Sequence, residues 1–334
     1  MAESASISAS DFTIGWLCAY SMELEIAGKM MDEQLARLPS DPSDSNIYAL
    51  GLIEGHYVVA AYSPTAERGT SRVAIAARHM RLSFPSVCLS ISIGIGSGVP
   101  RPGNEIDIRL DDVIISHSLE NYGELIQYNL GKIVDGGVTR MENTIAPLST
   151  TVMGALEKLR TNYLRDRTRV SEHLSKLTFL TKYDKPEEAR ATASQTIFHD
   201  SMVSSGEAIR DGSTSQSCIH ELGDVSFFGT EAADTRTDVS RYDFPLVMIR
   251  GICNCADKRK SEKLQTYATA AAASCAKELL QILPPLTVAI GHEDQAAYQQ
   301  HVDQGPFWLE ILQRGSVVCQ KHAQEAQKQV GLKY

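Results

Sequence analysis

The chain has 334 residues, of which 43% are hydrophobic and 22% are charged, and these proportions suit one large globular domain or two small ones. Its net charge of −9 disfavours nonspecific binding to nucleic acid or to an anionic membrane, because both need clustered cations. No apolar run reaches the roughly 18 residues that span a bilayer. The N-terminal sequence MAESASISASDF also lacks the basic and apolar regions of a secretory signal. We therefore expect neither a nucleic-acid partner nor a membrane partner.

Short apolar runs alternate with longer helical patterns along the chain. Several of these runs are almost continuously apolar, which is typical of strands buried on both faces. The predicted strands are Phe12–Ala19, Tyr57–Tyr62, Val87–Ile95, Asp112–Ser116, Thr196–Ser204, Val225–Phe228 and Leu246–Cys253. The predicted helices are Met22–Leu38, Thr70–Leu82, Thr150–Arg165, Val170–Leu177 and Lys263–Leu283. This order predicts an α/β sandwich around a mixed sheet.

The domain organisation is predicted from breaks in this pattern. A flexible arm over residues 1–10 precedes one domain over residues 11–283, and the polar, helical interval 133–195 is interpreted as an insertion. A double proline ends the last predicted helix, because proline cannot continue a helix. Residues 284–334 follow as a helical appendage with one helix at roughly Pro306–Val330.

The seven cysteines predict a reducing, cytoplasmic environment. Their number is odd and most lie in apolar runs, which is typical of buried thiols. A single residue separates Cys253 from Cys255, so these two cysteines do not form the C-x-x-C of a zinc site. No cluster of His and Cys residues lies near them in the sequence. We therefore expect neither a metal nor another cofactor.

Three glycines follow the strand Val87–Ile95 in the stretch SISIGIGSGVP, each separated from the next by one residue. Glycine lets the backbone approach a ligand closely or adopt a positive φ. A Gly-rich turn at the carboxyl end of a strand is also where α/β folds bind small molecules. The spacing differs from the dinucleotide pattern G-x-G-x-x-G. The glycines alone leave a ligand site and a simple tight turn equally open.

Polar side chains stand at three other strand ends. Glu23 falls in the first turn of a helix, where an acid also complements the helix dipole. Glu231 follows an apolar strand within FFGTEAAD. Arg250, Asn254 and Asp257 end a strand that is otherwise too apolar for them. Because buried polar groups must be paired, this last strand end is either a salt-bridged corner or a site.

Seven motifs in a fixed order resemble the nucleoside phosphorylase/nucleosidase superfamily, which includes purine and uridine phosphorylases and methylthioadenosine nucleosidases. They are W-L-C-A-x₃-E-L, I-G-I-G-S-G-V-P, D-D-V-I-I-S, L-I-Q-Y-N-L-G-K, S-S-G, T-E-A-A and V-M-I-R-G-I-C-N-x-A-D, within residues 11–283. The resemblance is to the fungal branch, whose phosphorylase-like domain often precedes ankyrin, TPR or NTPase modules, and we expect a stand-alone member. It implies a three-layer α/β/α sandwich with a central mixed β-sheet, a small-molecule substrate, and attack at the anomeric carbon of a nucleoside. We also expect a homo-oligomer, a dimer or a trimer.

The resemblance also implies roles for residues at the strand ends. The glycosidic bond would break toward an oxocarbenium-like state of the sugar. Glu231 would bind the ribose hydroxyls and stabilise the positive charge that develops on the ribose. Asn254 would face the purine N7, and Arg250 would lie behind the nucleophile. The other residues expected to bind substrate are Gly94, Ile95, Gly96, Ser97, Gly98, Arg68, Gln127, Tyr128, Ser205, Phe228, Gly229 and Thr230.

Glu23 favours hydrolysis over phosphorolysis. By the family pattern, nucleosidases place a glutamate in this loop to activate water, whereas bacterial-type phosphorylases place an arginine there for phosphate. The chain has no arginine between Asp11 and Arg37. A carboxylate repels phosphate and can act as a general base. Arg68 keeps phosphorolysis as the alternative.

Departures from the family pattern leave two further hypotheses. Asn254 stands where the nucleosidases have an aspartic acid, and an amide cannot protonate a leaving base. The usual E-M-E-A-A reads Gly229-Thr230-Glu231-Ala232-Ala233, and extra residues follow within DTRTDVSRYD. The fold could act on a non-nucleoside substrate in specialised metabolism, by carbocation, rearrangement or cyclisation chemistry. It could also be a catalytically inactive ligand sensor.

Overall fold

A computed structural model of the chain describes residues 7–39, 41–64, 71–98, 112–116, 148–177, 245–254 and 262–285. It also describes residues 108 and 110 and the short strands at 125–128, 139–141, 196–199, 202–205 and 227–229. Within these residues, twelve strands form one sheet and five helices accompany it.

The elements follow one another in the alternating order that α/β folds show. The strands are β1 (Ile14–Cys18), β2 (Glu33–Leu35), β3 (Ile47–Ile53), β4 (His56–Tyr62), β5 (Leu89–Gly98), β6 (Val113–Ser116), β7 (Leu125–Tyr128), β8 (Thr139–Met141), β9 (Thr196–His199), β10 (Met202–Ser205), β11 (Phe227–Gly229) and β12 (Leu246–Asn254). The helices are α1 (Ser21–Met30), α2 (Ser71–Ser83), α3 (Thr150–Leu164), α4 (Val170–Ser175) and α5 (Glu262–Ile282).

The centre of the sheet is parallel and its edges are mixed. β5 runs parallel to β1 and to β12, and β1 runs parallel to β4. β3 and β2 extend the sheet beyond β4 in antiparallel pairs. Past the end of β1, on the same side of β5, β11 pairs antiparallel with β5, and β10 then pairs in parallel with β11 and β7. The predicted mixed sheet is thus confirmed.

Apolar side chains fill the space on both faces of the sheet. On one face, Trp16 and Ile249 pack with residues of α1, α3 and α5 in a single buried cluster. On the other face, Leu17 and Met248 pack with residues of α2, among them Met80. Because successive residues of a strand point to opposite faces, one strand supplies both clusters. The result is the predicted three-layer sandwich of helices, sheet and helices.

Helix α5 lies unusually close to the sheet. A Cβ added to Gly251 of β12 would collide with the backbone carbonyl of Ala268 in α5. The run of alanines in α5 allows this approach, because small side chains bring the two backbones together. At the other end of α5, Nε2 of the buried His56 lies 3.0 Å from the carbonyl oxygen of Leu280 and 3.1 Å from that of Leu283.

The predicted helix Met22–Leu38 is too long. α1 ends at Met30, whose carbonyl accepts a hydrogen bond of 2.8 Å from Nζ of Lys277 on α5. The backbone N–H of Asp32 then bonds the carbonyl of Leu52, and the chain continues as β2. These long-range contacts draw the chain into the sheet.

Other differences concern the strands. The predicted strand Thr196–Ser204 is two strands, β9 and β10, which pair with β6 and β7 respectively. β3, β7 and β8 were not predicted. β3 joins β4 through a two-residue turn, Glu54 and Gly55, in which both residues have positive φ angles of 50° and 84°. Such a turn matches the twist of a hairpin.

By its contacts the chain divides into a unit over Met1–Thr287 and a unit over Val288–Tyr334. The helix predicted at Pro306–Val330 lies outside the described residues. In the predicted arm, Ala9–Asp11 form a single 3-10 turn. β8 falls within the interval 133–195 that was interpreted as an insertion, and it pairs antiparallel with β7.

Candidate functional site

Strand β5 changes its neighbour on one side near its carboxyl end. Ile93 is the last residue that pairs with β1, and Ser97 pairs with Phe228 of β11. β12 occupies the opposite side of β5 from Ser90 to Ser97. Residues 94–96 therefore border no strand on the β1 side within the described part of the chain. This opening lies at the carboxyl end of β1, where open α/β sheets bind ligands.

Glu23 lies at this opening, in the first turn of α1, and its side chain is held firmly. The residue is only 2% exposed. Its Oε2 accepts hydrogen bonds from the backbone N–H groups of Ala19 at 2.6 Å and Tyr20 at 3.2 Å. Two N–H donors and the helix N-terminus all favour a negative charge at this position.

The neighbouring thiol is unsuited to act as a nucleophile. Cys18 is the last residue of β1 and is fully buried. Burial, and then the charge of Glu23, raise the pKa of this thiol well above its ordinary value. Because the thiolate is the reactive form, Cys18 stays inert.

Arg250 on β12 lies at the same opening as Glu23, since both side chains border Gly94. It is 4% exposed, so its guanidinium needs internal partners. Nη1 donates to the carbonyl of Ser92 at 2.8 Å and to that of Ile249 at 3.3 Å. Nη2 donates to the hydroxyl of Ser92 at 3.1 Å.

Gly94 makes room for both charged groups. A Cβ on Gly94 would lie 3.2 Å from Oε1 of Glu23 and 3.2 Å from Nη1 of Arg250. The two charged atoms are therefore separated by at most twice that distance. The absence of a side chain at residue 94 lets a carboxylate and a guanidinium meet over the backbone of β5.

The other predicted residues fall into a row across the sheet. Ser97 pairs with Asn254 on one side and with Phe228 on the other. The remaining pairs are Gly229 with Ser204, Ser204 with Gln127, and Ser205 with Tyr128. Since neighbouring strands lie about 4.8 Å apart, this row brings the backbones of β12, β5, β11, β10 and β7 to one end of the sheet.

Some predicted site residues have other contacts or fall outside this description. The half-buried Ile95 packs against Cys253, Leu264 and Ala268 under α5. A Cβ on Gly98 would meet Cγ2 of Ile108 at 2.7 Å and Cγ2 of Ile252 at 2.9 Å, so packing alone requires glycine there. For Gly96 the structure establishes its burial and its pairing with Ile252. Arg68, Thr230 and Glu231 lie outside the described residues.

Sequence reasoning missed Ser92, which supplies two acceptors for Arg250. The signal is present in the strand LSISIG, where two serines, Ser90 and Ser92, interrupt an otherwise apolar run at a spacing of two. That spacing puts both on one face of β5. A buried serine needs a polar partner, and among the described residues Ser92 has one on the neighbouring strand, Arg250, whereas the hydroxyl of Ser90 has none.

The described residues hold no group of three or more His, Cys, Asp or Glu side chains arranged as metal ligands. A search of the described helices for one long and apolar enough to cross a membrane found none.

Comparison with known proteins gives one curated relative and many solved structures. No family model matches the chain. A nucleotide-binding leucine-rich repeat (NLR)-like protein from Hyaloscypha variabilis is 31% identical over an alignment of 309 residues, which covers 84% of this chain. The chain spans 30% of the length of that relative.

The similar solved structures include nucleosidases and a hydrolase. A 5'-methylthioadenosine/S-adenosylhomocysteine nucleosidase from Neisseria meningitidis, in complex with methylthio-immucillin-A, has a TM-score of 0.55 at 16% identity, covering 80% of this chain and 98% of that one. A putative enzyme of the same name from Borrelia burgdorferi, bound to adenine, has a TM-score of 0.57 at 14% identity, covering 80% and 99%. Futalosine hydrolase from Helicobacter pylori has a TM-score of 0.55 at 14% identity, covering 82% and 98%. The chain therefore has the fold of the nucleoside phosphorylase/nucleosidase superfamily.

Proposed function

We propose that this chain hydrolyses the N-glycosidic bond of a purine nucleoside or a related compound. The observation that carries the proposal is the convergence of Glu23 and Arg250 over Gly94, at the opening beside β5. The similar structures are named as nucleosidases and a hydrolase, which agrees with attack by water.

Glu23 is the general base of the proposed reaction. Its Oε2 is held by the N–H groups of Ala19 and Tyr20, which fixes the direction of the carboxylate. Its Oε1 lies beside Gly94, toward the opening. A carboxylate held in this way can take a proton from water while the water oxygen bonds the anomeric carbon.

Arg250 supports the attacking water. Its guanidinium is permanently charged and is held against β5 by Ser92. A fixed cation beside Glu23 stabilises the negative charge that develops on the attacking oxygen. The described residues thus supply a base and a positive charge, and the placement of Glu23 disfavours phosphate as the nucleophile.

The leaving base and the sugar are assigned by the resemblance. As the C–N bond breaks, its electron pair goes to the base and positive charge grows on the ribose ring. Glu231 would stabilise that charge. Asn254, whose backbone pairs with Ser97, would hold N7 through its amide, and the proton on the departing base would come from solvent. An amide suits a 6-oxopurine better than adenine, so inosine and guanosine are the expected substrates.

The experiment is a panel of inosine, guanosine, adenosine and methylthioadenosine, with and without phosphate, followed by chromatography for free base. We expect base release at a rate that does not depend on phosphate. Glu23→Gln should lower the rate at least about 100-fold and leave the melting temperature nearly unchanged. Glu25→Gln is the matched control, because Glu25 is two residues away on the exposed side of α1, where it pairs with Lys29 at 3.0 Å.

Two results would redirect the proposal. Phosphate-dependent formation of a sugar 1-phosphate would establish phosphorolysis and make Arg68 the first residue to test. Absence of base release from every nucleoside would favour the second candidate, a non-nucleoside substrate handled by carbocation chemistry. That candidate is supported by the replacement of the acid by Asn254 and by the altered segment at Gly229 and Thr230.

A further inference from the structure

We infer that Ser92 is a positioning residue, which fixes the guanidinium of Arg250 beside Glu23 so that the pair can act on water. The inference rests on the proposed function, and it adds a residue that neither the motif pattern nor the resemblance assigns.

Ser92 contacts Arg250 twice. Its carbonyl accepts from Nη1 at 2.8 Å and its hydroxyl accepts from Nη2 at 3.1 Å. Both residues are buried, with 1% of Ser92 and 4% of Arg250 exposed, so water does not compete for these bonds. Two contacts from one residue to two nitrogens of a planar group set both its place and its rotation.

The register of β5 and β12 explains why this matters. Arg250 pairs with Gly94, and Ser92 pairs with Met248. The guanidinium therefore turns back along β5, toward the interior of the sheet, instead of extending toward the end of the strand. Its Nη1 still lies 3.2 Å from the Cβ position of Gly94, where Oε1 of Glu23 is equally close. Ser92 thus decides where along β5 the positive charge stands.

Ser90 provides an internal comparison for Ser92, because it is a second buried serine of β5 that does not contact Arg250. It lies on the same face of β5, two residues earlier, and is 0% exposed. Its Oγ has no hydrogen-bond partner among the described residues and lies next to Gly15. Ser90 and Ser92 therefore differ in the one property that the inference uses, which is the contact with Arg250.

Removal of the Ser92 hydroxyl has a definite chemical consequence. Nη2 loses a buried acceptor, and the guanidinium becomes free to rotate on its remaining contacts. A displaced cation no longer stands beside Oε1 of Glu23, so it stabilises the charge on the attacking oxygen less well. The chemical step should then slow down, while substrate binding changes little.

The test compares Ser92→Ala with Ser90→Ala and Ser92→Thr. For Ser92→Ala we expect kcat for the cleaved nucleoside to fall about 10- to 100-fold, with a small change in KM. Ser92→Thr keeps the hydroxyl and should recover most of the activity. Ser90→Ala should match the wild type in kcat and in KM. A Ser92→Ala enzyme that behaves as Ser90→Ala does would overturn the inference.

A second measurement does not depend on catalysis. In the spectrum of the full chain with ¹⁵N-labelled arginine, a guanidinium held at both Nη atoms gives slowly exchanging Nη protons, and Arg250→Lys identifies the signals of residue 250. We expect these signals in the wild type and in Ser90→Ala. In Ser92→Ala we expect the loss of the Nη2 signals alone, because Nη1 keeps the carbonyls of Ser92 and Ile249 as acceptors. Persistence of the Nη2 signals in Ser92→Ala contradicts the inference even if no nucleoside is cleaved, whereas absence of cleavage by the wild type contradicts the proposed function alone. If Ser92→Ala does not fold, Ser92→Cys replaces it, with a side chain of similar size and a weaker acceptor.

Discussion

At the scale of single residues, Gly94 matters because the space that a side chain would fill there is bordered by the charged groups of Glu23 and Arg250. A Cβ there would stand 3.2 Å from both Oε1 of Glu23 and Nη1 of Arg250, closer than an ordinary van der Waals contact. Glycine is therefore required at residue 94 by two functional groups, whereas at Gly98 it is required by the packing of Ile108 and Ile252.

The first prediction is that Gly94→Ala impairs activity more than stability. The added methyl group must push aside the carboxylate or the guanidinium, and a displacement of about 1 Å can cost about 100-fold in rate. The loss in unfolding free energy should stay within the roughly 1–3 kcal/mol of an overpacked core. Steady-state kinetics and urea unfolding of the same preparation measure both effects.

Gly154→Ala is the matched control for this substitution. Gly154 lies within α3, and a Cβ there meets nothing within 4 Å. Alanine in a helix should stabilise the protein by about 0.5–1 kcal/mol and leave the kinetics unchanged. Full activity in Gly94→Ala would show that Glu23 and Arg250 do not work together over this glycine.

At the scale of elements, the candidate site arises from a difference in strand length. β1 ends at Cys18 because α1 begins at Ser21, while β5 continues to Gly98 and gains β11 as its new neighbour. The backbone of β5 is exposed to the opening only between these two partners. β12 supports the other side of β5 along this length and is itself supported by α5.

The second prediction concerns the contact between β12 and α5. A Cβ on Gly251 would collide with the carbonyl of Ala268, and both are backbone positions that cannot rotate away. We expect Gly251→Ala to lower the unfolding free energy by about 3 kcal/mol or more, because either the helix or the strand must move. Urea unfolding followed by circular dichroism measures this loss, and a stability equal to that of the wild type would contradict the close packing of α5.

The third prediction concerns His173, which α4 buries against α5. Neither ring nitrogen has a hydrogen-bond partner among the described residues. Burial lowers the pKa of His173 from its ordinary value of 6.5, and so do the charges of Lys277, Lys176 and Arg169, against the opposing charge of Glu172. The folded state therefore takes up the proton less readily than the unfolded state.

Stability should consequently fall as the pH drops through 6.5 toward the lower pKa of folded His173. His173→Leu removes this titration without removing a hydrogen bond. Melting curves from pH 8 to pH 5 give the unfolding free energy of both proteins. Below pH 6.5 the unfolding free energy of the variant should rise relative to that of the wild type, by at most about 1.4 kcal/mol per pH unit. Parallel curves for the two proteins would mean that His173 does not contribute to acid sensitivity.

At the scale of the whole molecule, the last buried residue of the described core is Leu283, directly after α5. His56 contacts the carbonyls of Leu280 and Leu283, and the side chain of Leu283 is part of the buried cluster beneath α1, α3 and α5. The compact unit that contains all these elements ends at Thr287.

The fourth prediction is that residues 1–287 fold and act without the remainder. We expect a fragment ending at Thr287 to unfold in a single transition, within a few degrees of the corresponding transition of the full chain, because the buried clusters of the described residues lie within this unit. It should also retain the nucleoside cleavage of the full chain. Calorimetry of both proteins tests the fold, and a fragment that aggregates or melts far lower would assign a structural role to residues 288–334.

The sequence by itself determined the layers of this protein and most of its central elements. Continuous apolar runs predicted β1, β5 and β12, and helical periodicity predicted α2, α3 and α5, because burial on both faces of a sheet and on one face of a helix leaves a local pattern. Arg250 was identifiable for the same reason, since a charge at the end of an apolar strand needs a partner. The end of α1 could not be predicted from the sequence, because the contacts that stop the helix come from Lys277 and Leu52, which are distant in the chain.

The tertiary structure alone decided how the site is assembled. Ser92 and Arg250 are separated by 158 residues, and only the parallel register of β5 and β12 brings them into contact. The same register distinguishes Ser92 from Ser90, which look alike in the sequence. The opening beside Gly94 depends on where β1 ends and where β11 begins to pair with β5, and strand pairing over such distances leaves no local pattern to read. Local propensity thus predicts the elements of this fold, whereas long-range register places Glu23 and Arg250 over one glycine.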